Sequence, residues 1–146
     1  MIKNQTLFSC LSSYDKGFTL IELFIIVVII GILTTLFISK YKSIIEKTQF
    51  AVTRANLERL QRQVWLYYTQ EGVYPSDLNI LVEKGYISKI PEIVLPYHSR
   101  TNMVITSVEP YDVNNDTGRW YYNPTTGQVL IECTHKDLEN IEIYKW

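Results

Sequence analysis

Residues Lys16–Lys40 read KGFTLIELFIIVVIIGILTTLFISK, and the reading of this stretch decides the fold. From Phe18 to Ser39 there are 22 residues, of which only Glu22 is charged. At about 1.5 Å per helical residue the run extends roughly 33 Å, enough to cross a hydrocarbon core of about 30 Å. Its Ile and Val content would suit a buried strand, but the run is far too long for one. A cleaved secretory signal fits poorly, because its apolar region would be about 7–15 residues long and would close on small residues. Here Ile38-Ser39-Lys40 closes the run, and a helical pattern continues beyond it. Leu7-Phe8-Ser9-Cys10 has the form of a lipobox, yet only six residues precede Leu7 and no apolar region lies ahead of it.

Glu22 stands about one turn inside the apolar run. A charge at the centre of a membrane helix costs roughly 2.5–3.5 kcal/mol on insertion scales, so such groups are usually paired and functional. Two readings are open. In one, the carboxylate favours the positive end of the helix dipole and reaches back to the headgroups. In the other, it pairs with a cation held in the membrane. A cut between Gly17 and Phe18 would supply one, as the new ammonium of Phe18, on its own chain or on an axially shifted neighbour.

Lys16-Gly17-Phe18-Thr19-Leu20-Ile21-Glu22, followed by about 17 apolar residues, resembles the processing site of the type IV pilin family, including the pseudopilins of type II secretion. The resemblance is close over Lys16 to about Lys40 and looser beyond. It implies that a membrane aspartyl peptidase, the prepilin peptidase, cuts after Gly17 and N-methylates Phe18. It also implies that Glu22 aligns the subunit as it joins a helical filament, and Gly31 matches a common family glycine. Many members carry a proline near the end of the run. This chain has Ser39 instead, which keeps its amide and fits a helix.

The rest of the chain agrees with an anchored extracytoplasmic protein. Its 146 residues suffice for one small domain and an anchor. Net charge is −1; without Met1–Gly17, which holds Lys3, Asp15 and Lys16, 12 basic and 14 acidic residues remain, or −2. No general nucleic-acid binding is expected from that balance. Lys3 and Lys16 suit a cytoplasmic leader, although Lys40, Lys42 and Lys47 beyond the span blunt the charge bias, so orientation rests on the processing motif. Cys10 leaves with the leader, and Cys133 is then the single thiol, a buried core residue or an intermolecular bridge.

Beyond Lys40 the helix is expected to run to about Glu71. Ile45, Val52, Leu60, Val64 and Tyr67 read as its apolar face, and Lys47, Arg54, Glu58, Arg59 and Arg62 as a solvated face, with anionic headgroups or DNA as the weaker alternative. Gly72 suits the C′ position and Pro75 prevents continuation. From Val73 to Trp146 a compact piece is expected. Ser76-Asp77 caps a short helix to about Lys84 and Gly85 ends it. Met103–Val108 reads as a strand, Trp120-Tyr121-Tyr122 and Val129-Leu130-Ile131 as a hairpin about Asn123–Gly127, and Ile141–Trp146 as a last strand. The fold class is α+β: a long N-terminal helix, membrane-spanning and then amphipathic, packed on a small C-terminal antiparallel sheet. The divisions are a leader at 1–17, a membrane or filament-core helix at 18–40, the amphipathic half at 41–72 and a globular piece at 73–146.

No catalytic residues are assigned. His98 and His135 lie far apart in sequence, outside any metal or triad motif, and read as surface residues; Ser99 beside His98 forms no nucleophile elbow. Asp112, Asn114 and Asp116 alternate like the start of a calcium loop, but Thr117 and Asn123 stand where that loop needs glycine and glutamate. An Asx-rich turn is the alternative, and calcium is the one cofactor considered. The 11 Tyr, 5 Phe and 3 Trp read as core and interface packing rather than as an electron path or an adhesive face. The resemblance implies a structural filament subunit, first single-pass in the cytoplasmic membrane with its C-terminal domain outside, then in a periplasmic or surface filament. Its implied partners are the prepilin peptidase, copies of itself, other pilins, the inner-membrane assembly platform and lipid. The alternatives are an anchored extracytoplasmic binding module that does not polymerise and, with no residue constellation behind it, an anchored enzyme.

Overall fold

Helix α1 spans Leu20–Glu71 and belongs to two compact units, the first ending at Ser39 and the second running from Lys40 to Trp146. The structure is a computed structural model that describes residues 17–146; the leader through Lys16, with Cys10, lies outside them. In the first unit every large apolar side chain from Leu20 to Leu33 is exposed. The hydroxyls in this stretch bond back to their own helix: Thr34 Oγ1 donates to the Ile30 carbonyl at 2.7 Å and Thr35 Oγ1 to that of Ile32 at 2.7 Å. A helix that is apolar all round and satisfies its own polar groups is what a lipid environment demands. It is long and apolar enough to cross a membrane. Position 39 is helical, in keeping with a residue that retains its amide.

In the second unit α1 buries Phe50, Thr53, Leu57, Leu60, Val64 and Tyr67. These recur at steps of three and four, one helical seam. Ile45 and Val52, expected on this face, are instead exposed at 41% and 43%. The step of eight from Val52 to Leu60 turns the helix by about 80°, enough to leave the seam, which Thr53 occupies instead. Thr53 earns its buried place through two bonds. Its Oγ1 donates to the Val94 carbonyl at 2.7 Å and accepts the Val94 amide at 2.9 Å. Asn56 Nδ2 adds a bond to the Glu92 carbonyl at 2.9 Å, so the connection bounded by Pro91 and Pro96 is clamped to the helix. The helix ends at Gly72, whose φ of 76° is left-handed and whose amide bonds the Tyr68 carbonyl at 2.9 Å.

Helix α2 is only Asn79–Glu83. Asp77 Oδ1 accepts the Asn79 amide at 2.7 Å, and Oδ2 accepts the Thr106 hydroxyl at 2.7 Å, so Asp77 ties the α2 entry to the first strand. The strands are β1 (Val104–Thr106), β2 (Trp120–Asn123) and β3 (Gln128–Ile131), in the order β1-β2-β3. β2 and β3 are antiparallel with Trp120 opposite Ile131 and Tyr122 opposite Val129, as the hairpin reading requires. β1 pairs with β2 in parallel, Val104 opposite Trp120, so the sheet is mixed rather than antiparallel throughout. The physical reason is the connection: residues 107–119 form a long crossover of the kind parallel neighbours need.

Core and sheet meet on alternate residues of β2. Trp120 and Tyr122 join the cluster containing Leu57, Leu60, Val64 and Leu81. Their polar ends are satisfied, Trp120 Nε1 by the Pro91 carbonyl at 2.8 Å and Tyr122 Oη by that of Pro75 at 2.6 Å. Tyr121 alternates away and packs on Tyr111 of the crossover. The final segment is not a strand. Asp137 Oδ1 captures the amides of Glu139 and Ile141, its Oδ2 accepts the Trp146 indole at 2.9 Å, and Ile143–Lys145 closes as a 3-10 turn. An Asp that binds amides two and four residues on bends the chain before a ladder can form.

Candidate functional site

The N-terminal segment presents its reactive features in the open. Phe18 is 77% exposed, and among the described residues a Cβ at Gly17 would meet nothing within 4 Å. Thr19 then caps α1. Its hydroxyl accepts the Glu22 amide at 3.3 Å, and its carbonyl accepts the amides of Glu22 at 3.1 Å and Leu23 at 3.2 Å. Glu22 answers, with Oε2 at 3.5 Å from both the Thr19 amide and the Thr19 hydroxyl. This is a capping box, in which cap residue and third helical residue satisfy each other's free backbone donors. Thr-x-x-Glu ahead of an apolar run is its sequence signal, legible in Thr19 and Glu22. The arrangement holds a carboxylate in the first turn, where the helix dipole favours it, one peptide away from the Phe18 nitrogen.

A second constellation lies in the globular unit, on residues read from sequence as unrelated. His98 follows the proline-bounded connection, Asp116 sits late in the crossover, and Cys133 and His135 follow β3. Their donor atoms all lie within 4.8 Å of one another. His98 Nε2 is 3.3 Å from Cys133 Sγ and 3.2 Å from Asp116 Oδ1. His135 Nδ1 is 3.6 Å from Cys133 Sγ and 3.4 Å from Asp116 Oδ1. Cys133 is buried, as expected, and the His98 side chain is only 12% exposed rather than at the surface, whereas that of His135 is 39% exposed. The ring of Tyr97 stacks on His135 at 4.3 Å and 9°. Gly118, at a φ of 69°, leaves room for His98, since a Cβ there would stand 2.5 Å from the ring. Burial pushes the Cys133 thiol up to about 12. Burial also raises Asp116, but the Thr134 amide and the two imidazoles outweigh it and hold the carboxyl below its ordinary value. The only local sequence signal for this group was the Cys133-Thr134-His135 pair; folding supplies the other two residues.

The Asp112–Asp116 stretch divides. Asp112 Oδ1 accepts the Asn114 amide at 2.9 Å and the Asn114 side chain at 2.9 Å, an Asx turn. Asp116 faces away to the histidines and accepts the Thr134 amide at 3.0 Å.

Comparison with known proteins bears on the first of these sites. A family model, the prokaryotic N-terminal methylation motif, matches residues 12–38. The chain is 40% identical over 68 residues to the fimbrial protein EcpC of Eikenella corrodens, covering 46% of this chain and 44% of that protein. It is 33% identical over 67 residues to the type IV major pilin protein PilE of Neisseria gonorrhoeae, covering 46% and 40%. It is 30% identical over 93 residues to the type II secretion system core protein G of Pseudomonas aeruginosa, covering 53% and 66%. The chain thus spans less than half the length of the two pilins that it matches. No solved structure matches it. With the methylation motif at the head of an exposed apolar helix, and a pilin-type α+β unit behind it, the chain belongs to the type IV pilin and pseudopilin family.

Proposed function

We propose that this chain is a structural subunit of a helical filament, a type IV pilus or a type II secretion pseudopilus, with no catalytic role. The observation that carries the reading is the segment Gly17–Glu22 at the head of a helix whose large apolar side chains from Leu20 to Leu33 are all exposed. A surface of that kind needs lipid before assembly and other helices after it. The prepilin peptidase cuts between Gly17 and Phe18 and methylates Phe18. The span then waits in the cytoplasmic membrane, leader side in the cytoplasm and globular unit outside. On assembly, delivered by the inner-membrane platform, the apolar helix exchanges lipid for its neighbours.

Glu22 has a defined part in this sequence. Its carboxylate lies 3.5 Å from the Thr19 amide, next to the nitrogen that becomes an ammonium on cleavage. In the membrane it satisfies its own cap. In the filament it is available to the Phe18 ammonium of a neighbour, an ion pair that only one axial register completes and that is unscreened by water.

Expression with a prepilin peptidase tests both parts. Gly17→Ala should leave the leader attached, and normal cleavage would contradict the site. Glu22→Ala should leave a cleaved, folded monomer and few filaments. Filament yield equal to wild type would remove Glu22 from assembly. A wild-type chain found only as monomers in surface fractions would favour the anchored binding module instead.

A further inference from the structure

We infer that His98 Nε2, Asp116 Oδ1, Cys133 Sγ and His135 Nδ1 form a binding site for one divalent metal ion of the zinc class. The distances carry the argument. Four-coordinate zinc takes nitrogen and oxygen at about 2.0–2.1 Å and sulfur at about 2.3 Å. The edges of such a tetrahedron are about 3.3 Å between nitrogen and oxygen and about 3.6 Å between nitrogen and sulfur. The two nitrogen–oxygen edges here are 3.2 and 3.4 Å, and the two nitrogen–sulfur edges are 3.3 and 3.6 Å. The remaining two pairs lie within 4.8 Å.

Hydrogen bonding alone accounts for this cluster poorly. Each imidazole nitrogen has a single in-plane proton or lone pair, yet each lies at similar distances from two polar groups, Asp116 Oδ1 and Cys133 Sγ. Asp116 Oδ1 already accepts the Thr134 amide, which leaves it one further lone pair for two imidazoles. A single cation at the centre uses all four groups at once. The set is also chemically apt: a thiolate, two imidazoles and a carboxylate suit zinc and are poor for calcium or magnesium. Outer contacts hold the ligands in place, as metal sites require: Tyr97 stacks on His135, the Thr134 amide fixes Asp116, and Gly118 seats the His98 ring. On binding, the Cys133 sulfur forms the metal bond and its proton passes to water. The ion would join the connection after Pro96, the crossover and the segment after β3, which no disulfide can join because Cys133 is the one cysteine among the described residues.

The test uses the full chain in detergent micelles, stripped with a chelator and reloaded with zinc or with cobalt(II) alone. The expected result is one zinc per chain after dialysis, a raised unfolding temperature, and for cobalt a tetrahedral visible spectrum with a thiolate charge-transfer band. Cys133→Ser should remove that band. His135→Ala, at a part-exposed position, is the gentler variant; it should keep the wild-type circular dichroism and weaken zinc binding by about 100-fold or more, beyond the loss usual for an outer-shell change. Substoichiometric zinc, a cobalt spectrum without the thiolate band, or wild-type affinity in His135→Ala would each overturn the assignment.

Discussion

Leu60→Ala and Val52→Ala form a useful pair, because both place alanine in the interior of α1 while one site is buried and the other is not. Leu60 is fully buried among Leu57, Val64, Leu81 and Trp120, whereas Val52 is 43% exposed. Truncating Leu60 removes three buried carbons, a transfer loss of about 2.4 kcal/mol at roughly 0.8 kcal/mol each. The cavity left behind adds to this, and the total should be about 3 kcal/mol, inside the usual span of about 2–5 for such changes. For a domain of about 100 residues each kcal/mol moves the midpoint by about 4–8 °C, so Leu60→Ala should lower it by roughly 12–24 °C. Val52→Ala should stay within about 0.5 kcal/mol, and the better helix propensity of alanine pushes it toward neutral. The assay is thermal unfolding of the full chain in micelles, followed by near-ultraviolet circular dichroism, which reports the packed aromatic core rather than the apolar span. Equal shifts for the two variants, or a larger one for Val52→Ala, would refute the placement of the buried seam.

Thr53→Val keeps the shape of a buried residue and removes both bonds to Val94, so two main-chain groups lose their partner; a loss of about 2–4 kcal/mol is expected in the same assay, and a loss below about 0.5 would show that water replaces the hydroxyl. Asp77 gives a pH signature. Burial raises its pKa, but the Asn79 amide, the Thr106 hydroxyl and the Asn79 side chain outweigh that and bring it below the ordinary carboxylate value. Its contribution is therefore complete above that ordinary value and is lost as pH falls through the lower folded value. Wild type should exceed Asp77→Ala at pH 7 by about 1 kcal/mol, as for a helix cap, and the gap should close in acid; a constant gap would contradict the charge's part. Gly127→Ala should be severe, since at a φ of 73° its Cβ would run into the Tyr74 ring; an unchanged unfolding midpoint would refute that contact.

What the residues declare by themselves is local. The span, its length and the Gly17–Glu22 segment are contiguous, and so are Gly72 at the helix end and the Trp120–Ile131 hairpin about its turn. What they hid depends on tertiary geometry. The buried face of α1 runs through Phe50, Thr53 and Leu57, and a threonine in that seam makes sense only once Val94 is seen against it. The direction of β1 was not legible because a strand of three residues says nothing about its neighbour; the long crossover decides it. The Ile141–Trp146 segment has strand-like composition, but Asp137 turns it first. At the site level, Glu22 is legible as a misplaced charge and, through its spacing from Thr19, as part of a cap. His98 and His135, 37 positions apart in the chain, became neighbours only through the fold.

The central claim is that this chain is cut at Gly17–Phe18 and built into a filament. Intact-mass and N-terminal analysis of filaments sheared from cells that make the prepilin peptidase tests it most directly. The account predicts a fibre whose subunit begins at Phe18 and carries one methyl group on that nitrogen. A chain that keeps Met1–Gly17, or that is cleaved and methylated yet absent from every filament fraction, would contradict it.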